Sequence, residues 1–390
     1  GIQRVQSEVI RAAISRAEGT VGVCVYAPES QSWSHIPNEL FLNLLESAEQ
    51  GTNISDKAWQ EQFQKFRAFL SLSGDMPFPK GSSIVSLGAG WHLRSFFQKI
   101  SELKKKFDVQ HIAMIHDLIP LFKPEYFVDS LVSDFKKWMG DLLVTSDKIM
   151  TVSAHTKSDL ERYREISGIK NQKQDTYVVP LDVAIPLNEN PEGRASPFTL
   201  DVDLPEEFVL FVSTFEIRKG HLLAAQAWKR LIARYGERTP NLLCIGSRGW
   251  KADAFWKFMS KNPDVAKKII IIEKATDSFL FHAYKKCIFT IYPSHYEGWG
   301  LPVVESLCLG KVPVVSNNSS LPEAGGKFAL YFQTGDAVSL SEAVEKLAFH
   351  SSLRHRMEHT IAEEFSPRSW GDVADQIILI ATTKPEGALC

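Results

Sequence analysis

The period of the apolar positions changes along the chain, and each change marks an element. Ile2, Val5, Val9, Ile10, Ala13 and Ile14 share one face at helical spacing, so the sequence opens on a helix. The run VGVCVYAP (residues 21–28) reads as a strand. A polar, helical region follows to about Gly74, in which Trp59, Phe63, Phe66 and Phe69 form a stripe expected to face a core. The strand SSIVSL leads into Gly88-Ala89-Gly90. Next come a helix over 96–107, a strand running through Ile115, a helix carrying Phe135, Trp138 and Met139, and the strand KIMTVS ending at Ser153. From 186 to 207 Pro, Asn, Glu, Gly and Ser accumulate, as in an interdomain linker.

The second half alternates cleanly: strand FVLFVS, helix from Gly220, strand NLLCIG, helix from Asp253, strand IIII, helix from Ser278. The strand CIFTIY then meets a polar loop with Gly298 and Gly300, and Pro302 opens an apolar helix. Alternation of this kind predicts an α/β fold with a parallel sheet covered on both faces.

Composition narrows the class. With 390 residues, 44% apolar and 23% charged, the chain has room for two cores. No apolar run approaches the roughly 18 residues of a membrane span, and no signal peptide precedes the first helix, so a cytoplasmic setting is expected. Cys24, Cys244, Cys287, Cys308 and Cys390 are odd in number and scattered, which suits reduced thiols. A formal charge of −2 argues against a nucleic-acid partner.

Several positions carry candidate chemistry. Glu297 lies in the loop and Glu305 on the helix behind it, so both carboxylates can reach one ligand and accept hydrogen bonds from sugar hydroxyls. Spacing alone allows equally a solvated loop glutamate plus one favoured by the helix dipole. The helix terminus at Leu301–Val303, where Pro302 lacks an N–H, offers the remaining free backbone N–H groups to an anion. Arg218 and Lys219 fall between a strand end and its helix, where two fixed cations can neutralise a diphosphate without a metal. A strand through Ile115 puts His116 at its carboxyl end, the ligand-facing edge of an open sheet, and Asp117 is expected to shape the loop. Other patterns carry less. Leu93 stands where a dinucleotide fingerprint starting at Gly88 needs its third glycine. Asp201-Val202-Asp203 reads as a solvated loop, His355 and His359 as a solvated helix face, and SAHTKSDL as a helix cap. Phe96, Phe97 and Ile100 beside Lys104, Lys105 and Lys106 would suit peripheral contact with the inner face of a membrane.

The segment EGWGLPVVE, followed by GKVPVVSNNSSLPE, resembles the retaining glycosyltransferases of family 4. That resemblance implies the GT-B fold, two Rossmann-like doubly wound domains facing each other across a cleft. It implies an acceptor-side domain over 1–190, a donor-binding domain over 206–366, and a segment over 367–390 whose helix crosses back. It implies that Glu297 lies against the donor sugar, that Glu305 holds the ribose, and that the backbone at Gly298, Gly300, Leu301, Pro302 and Val303 contacts sugar and phosphate. Lys219 would bind the diphosphate. Thr214 would contact the donor, Ser213 beside it stands where many relatives have an arginine, and Arg218 is the expected substitute for that arginine. Gly249 lies in a family-like loop, Ala275 and Thr276 would receive the base, and His116 would approach the donor sugar. Gly1 resembles the stump of a donor-phosphate loop whose first strand is missing, as in one piece of a longer multi-domain enzyme. The implied function is metal-free and cofactor-free transfer from a nucleotide sugar, GDP-mannose favoured, to a glycan or lipid-linked glycan acceptor in bacterial polysaccharide synthesis. His116, Glu297 and Lys219 are the expected catalytic residues. The rivals are a nucleotide-sugar epimerase of the same fold, a catalytically silent sugar-nucleotide-binding subunit, and an NAD oxidoreductase.

Overall fold

In a computed structural model, the described residues are all except 51–55, 74–75, 89, 94, 169–173, 183–203, 274 and 384–390. They fall into two units. Gly1–Leu121, Asp129–Pro180 and Arg368–Cys390 form the first, and Phe122–Val128 with Leu181–Pro367 the second. Asp201-Val202-Asp203, Ala89 of the glycine turn, most of the predicted linker and most of the C-terminal tail lie outside the described residues.

The first unit runs α1 (Ile2–Arg16), β1 (Val23–Ala27), β2 (Ser32–Ile36), α2 (Asn38–Gln50), α3 (Lys57–Leu72), β3 (Ser83–Ser86), α4 (Phe96–Phe107), β4 (Gln110–Ile115), α5 (Ile119–Phe122, whose last residue belongs to the second unit), α6 (Asp129–Thr145), β5 (Lys148–Thr151), α7 (Ala154–Ser167) and β6 (Asp175–Val178). β3, β4, β5 and β6 pair in parallel and in chain order. β1 and β2 form a separate antiparallel hairpin.

That hairpin departs from the sequence reading, which placed a helical region directly after the first strand. Ser32–Ile36 buries Trp33, Ser34 and Ile36, and its pairing with β1 satisfies the backbone. The aromatic stripe on α3 also differs, because no residue of that helix is fully buried. Phe66 and Phe69 cover the small cluster of Ile14, Val23 and Ile36, whereas Trp59 stacks on Phe63, which is 40% exposed. On α4, Ile100 is fully buried, Phe96 packs on the Tyr26–Trp33 cluster, and Lys104 bonds Asp147 at 2.7 Å.

The second unit runs β7 (Phe208–Val212), α8 (His221–Tyr235), β8 (Asn241–Ile245), α9 (Asp253–Lys261), α10 (Pro263–Lys268), β9 (Ile269–Ile272), α11 (Asp277–Lys286), β10 (Phe289–Tyr292), α12 (Leu301–Cys308), β11 (Pro313–Ser316), α13 (Leu321–Gly325), β12 (Leu330–Phe332), α14 (Ala337–Phe349) and α15 (Ser351–Glu364). Its six strands are all parallel, in the order β12-β11-β10-β7-β8-β9. Strand periodicity divides the core between two faces. Along β7, Phe208 and Leu210 enter one cluster with Leu243 and Tyr284, while Val209 and Phe211 enter the other with Trp228 and Phe289. Burial on both faces explains why β7 reads as an unbroken apolar run.

α16 (Trp370–Thr382) belongs to the first unit and packs on α1. Lys148, fully buried on β5, donates to the carbonyls of Ile380 (2.7 Å) and Thr383, so a cation closes the carboxyl end of this last helix. Ser83 Oγ donates to the Ala381 carbonyl at 2.6 Å.

Candidate functional site

The strand order of the second unit reverses at β7 and β10, which pair through Phe289↔Val209 and Thr290↔Leu210. At such a point the loops leaving the two carboxyl ends diverge and open a crevice. Here they are joined at its floor. Gly220 has φ +81°, and a Cβ on it would lie 2.1 Å from the Pro293 carbonyl oxygen, so only glycine allows the β7–α8 loop to pass. His295 N–H then donates to the Arg218 carbonyl at 2.8 Å.

The side chains at this junction form a compact charged group. Arg218 Nη1 donates to Glu297 Oε2 at 2.7 Å and to the Tyr296 carbonyl at 2.8 Å, while its Nη2 donates to Glu216 Oε1 at 2.7 Å. Lys219 Nζ donates to Glu297 Oε1 at 2.6 Å. Side-chain exposure is 14% for Arg218, 18% for Lys219 and 12% for Glu297, low enough that water screens these pairs weakly. Burial alone would raise the Glu297 carboxyl. The Arg218 and Lys219 cations, with hydrogen bonds from Lys219 and Ser294, overcome it and hold the group at about 2. Lys219 is pushed below the usual lysine range by burial and by Arg218, against the pull of Glu297.

The loop carrying Glu297 is held from behind. Glu297 N–H donates to Ser319 Oγ, and Ser320 Oγ reaches the carbonyls of Glu297 and Trp299, all at 2.9 Å. Asn318 Nδ2 donates to the His295 carbonyl. Gly300, at φ +120°, turns the chain into α12, with Leu301 and Pro302 in its first turn and Val303 buried. One turn further on, Glu305 is 8% exposed and accepts from the Tyr284 hydroxyl at 2.9 Å. Burial and the Glu305 charge both push the Tyr284 phenol far up, so it remains a hydrogen-bond donor.

The other candidates have different surroundings. Thr214 is exposed just past β7, and a Cβ on Gly249 would lie 2.8 Å from its methyl group. Ala275 and Thr276 are half-buried after β9, where Thr276 caps α11 by accepting from Phe279 N–H. His116 and Gly1 belong to the first unit. His116 follows β4, its Nε2 lies 2.8 Å from the Leu87 carbonyl, and burial pushes its pKa down despite that bond. Asp117 Oδ1 accepts from Ile119 N–H. Gly1 is exposed at the start of α1. Ser153 caps α7 by accepting from Thr156 N–H, and His355 and His359 are exposed on α15.

Sequence reasoning missed Glu216, Tyr284 and the two serines. Glu216 could have been suspected from its place two residues before Arg218, whereas Tyr284 sits among apolar residues of α11 with nothing local to single it out. Among the described residues, no group of three or more His, Cys, Asp or Glu lies where it could hold a metal ion, and no helix is long and apolar enough to cross a membrane.

Residues 194–363 match the family model for Glycosyl transferases group 1. The chain is 26% identical over 274 residues to a serotype-specific mannosyltransferase, WbdA, of Escherichia coli, an alignment spanning 68% of this chain and 32% of that protein. It is 28% identical over 233 residues to O-antigen chain mannosyltransferase B of Escherichia coli, covering 59% of each. The chain thus spans about a third of the length of the first of these relatives. An alpha,alpha-trehalose-phosphate synthase (UDP-forming) from Burkholderia vietnamiensis superposes with a TM-score of 0.60 at 13% identity, over 85% of this chain and 78% of the other. TarM superposes with a TM-score of 0.57 at 12% identity, over 94% and 62%. The fold is GT-B, and the chain is similar to glycosyltransferases of surface polysaccharides.

Proposed function

Taking as premise that residues 194–363 match the family model for Glycosyl transferases group 1, we propose that the chain is a retaining, metal-independent hexosyltransferase. It moves a sugar, mannose from GDP-mannose in the favoured case, onto a glycan or lipid-linked glycan acceptor in bacterial polysaccharide synthesis. The observation that carries this reading is Glu297 clasped by Arg218 and Lys219 at the strand-order reversal, with Glu305 one helical turn behind. The mannosyltransferase relatives support the choice of sugar.

Each role follows from the chemistry. Lys219, Arg218 and the amino end of α12 stabilise the negative charge that builds on the departing diphosphate, the work a metal ion does elsewhere. Glu297, ionised at neutral pH, acts as an acceptor for sugar hydroxyls and stabilises positive charge developing on the ring. Glu305, oriented by Tyr284, takes the ribose hydroxyls. His116, with Nε2–H directed to Leu87, keeps Nδ1 as an acceptor at the carboxyl end of β4. Retention arises when the acceptor attacks the face the diphosphate leaves, a phosphate oxygen taking its proton. The protein works in the cytoplasm, at the inner face of the membrane when the acceptor is lipid-linked.

The test is nucleoside diphosphate release from a panel of nucleotide sugars, with and without acceptor and with and without chelator. Chelator-insensitive release from one donor, lost in Glu297→Gln, supports the reading. Release that needs a metal, or no release from any donor with a range of glycan acceptors, refutes it.

A further inference from the structure

Seven residues from the first half of the chain, Phe122–Val128, belong to the second unit. They are held there by the loop after β8. Trp250 Nε1 donates to the Tyr126 carbonyl at 2.9 Å, and Lys251 Nζ donates to the Glu125 carbonyl at 2.8 Å and to that of Phe127. Three successive carbonyls are therefore taken by two side chains. The Trp250 ring also lies 6.2 Å from that of Phe127. Lys251 adopts φ +56°, a backbone conformation that costs a non-glycine residue energy and persists only where surrounding contacts impose it. Trp250 is 44% exposed, so its contribution lies more in the N–H bond and ring contact than in core burial.

The strap lies beside the charged group. The Tyr126 ring is 6.3 Å from that of His295, which lies two residues before Glu297 and donates its N–H to the Arg218 carbonyl. Burial and Glu125 raise the Tyr126 phenol, while the nearby Arg218 guanidinium opposes them, so the group keeps its proton and can donate.

We propose that Tyr126 is a substrate-binding residue, its hydroxyl donating to a phosphate oxygen of the ligand held by Arg218 and Lys219, and that Trp250 and Lys251 are positioning residues that present it. The proposal rests on the sugar-nucleotide reading above and adds to it a ligand contact contributed by the first half of the sequence. A phenol donor near the Arg218 guanidinium suits the diphosphate, whose oxygens accept several hydrogen bonds at once.

The experiment uses the whole chain and the variants Tyr126→Phe, Trp250→Phe and the double variant. It reads calorimetric affinity for GDP and UDP, and KM and kcat for any sugar nucleotide turned over, with thermal melting as a check on folding. Tyr126→Phe should weaken diphosphate binding about 5- to 10-fold with an unchanged melt, the effect of one charge-assisted hydrogen bond. Trp250→Phe keeps an aromatic ring, though a smaller one, and loses the N–H, and should weaken binding about 3-fold or more. The double variant should bind no worse than the weaker single one, because both changes remove the same contact. Affinity within twofold of wild type for Tyr126→Phe, or losses that multiply in the double variant, overturns the proposal. If no sugar nucleotide is turned over while Tyr126→Phe still weakens diphosphate binding, the transferase reading fails and this inference stands. A wild-type chain that binds neither diphosphate overturns both.

Discussion

The two parallel sheets differ in one topological respect. In the first unit the four strands lie in chain order, whereas in the second the order turns back at β7 and β10. The ligand edge of the first sheet carries His116 bonded to a backbone carbonyl. The reversal in the second gathers Glu216, Arg218, Lys219 and Glu297 within hydrogen-bond distance. Strands leading to both sides of a reversal leave loops that diverge, and polar groups can meet in the gap without displacing core. The lesson is that concentration of charge follows the strand order more than the fold class.

The largest expected effect is on Glu297. Glu297→Gln retains the shape but loses the charge balancing two cations, and should lower transfer about 1,000-fold, read as diphosphate release. A loss under tenfold would break the contrast between the two sheet edges.

Glycines with similar dihedrals in the two units sharpen it. Gly220→Ala would meet the Pro293 carbonyl and should cost about 3 kcal/mol or more by denaturant titration. Gly168→Ala has φ +73° with open space around the position, and should cost only about 1 kcal/mol. Equal costs would mean that the close approach at the junction is unimportant.

Acid titration probes the same carboxylate. With a folded pKa of about 2, below the unfolded value near 4.5, Glu297 contributes stability that is fully present above that unfolded value. The contribution falls as pH drops from about 4.5 towards 2 and is on the order of 3 kcal/mol. Glu297→Gln should therefore show a flatter acid limb than wild type in equilibrium unfolding. The same slope in both proteins would rule out the clasp as its source.

The smallest effect belongs to the wall of the site. Tyr284→Phe removes the hydroxyl that orients Glu305 and should raise the donor KM about 10-fold with little change in kcat, whereas Glu305→Ala should weaken donor binding further.

Much of this was legible without coordinates. The alternating strands and helices of the second half, the loop before α12 and the candidacy of Arg218, Lys219, Glu297 and Glu305 follow from period and position along the chain. The β1–β2 hairpin was not legible, because SWSHI buries Trp33 and Ile36 within a stretch whose composition reads as polar. The α3 stripe misled because its aromatic spacing is helical whether the face meets a core or only a small cluster.

What the sequence alone determined is local: element type, set by the spacing of apolar residues, and helix starts, set by capping groups such as Ser153, Thr276 and Ser369. These depend on neighbours within one or two turns. The tertiary structure decided which charges meet. Arg218 and Glu297 are 79 positions apart, and Trp250 and Tyr126 are 124 apart. Their pairing depends on strand order and on the route of a strap, and the depressed Glu297 pKa depends on the burial that results. Interactions of that range arise only when the chain closes on itself and excludes water from between the partners.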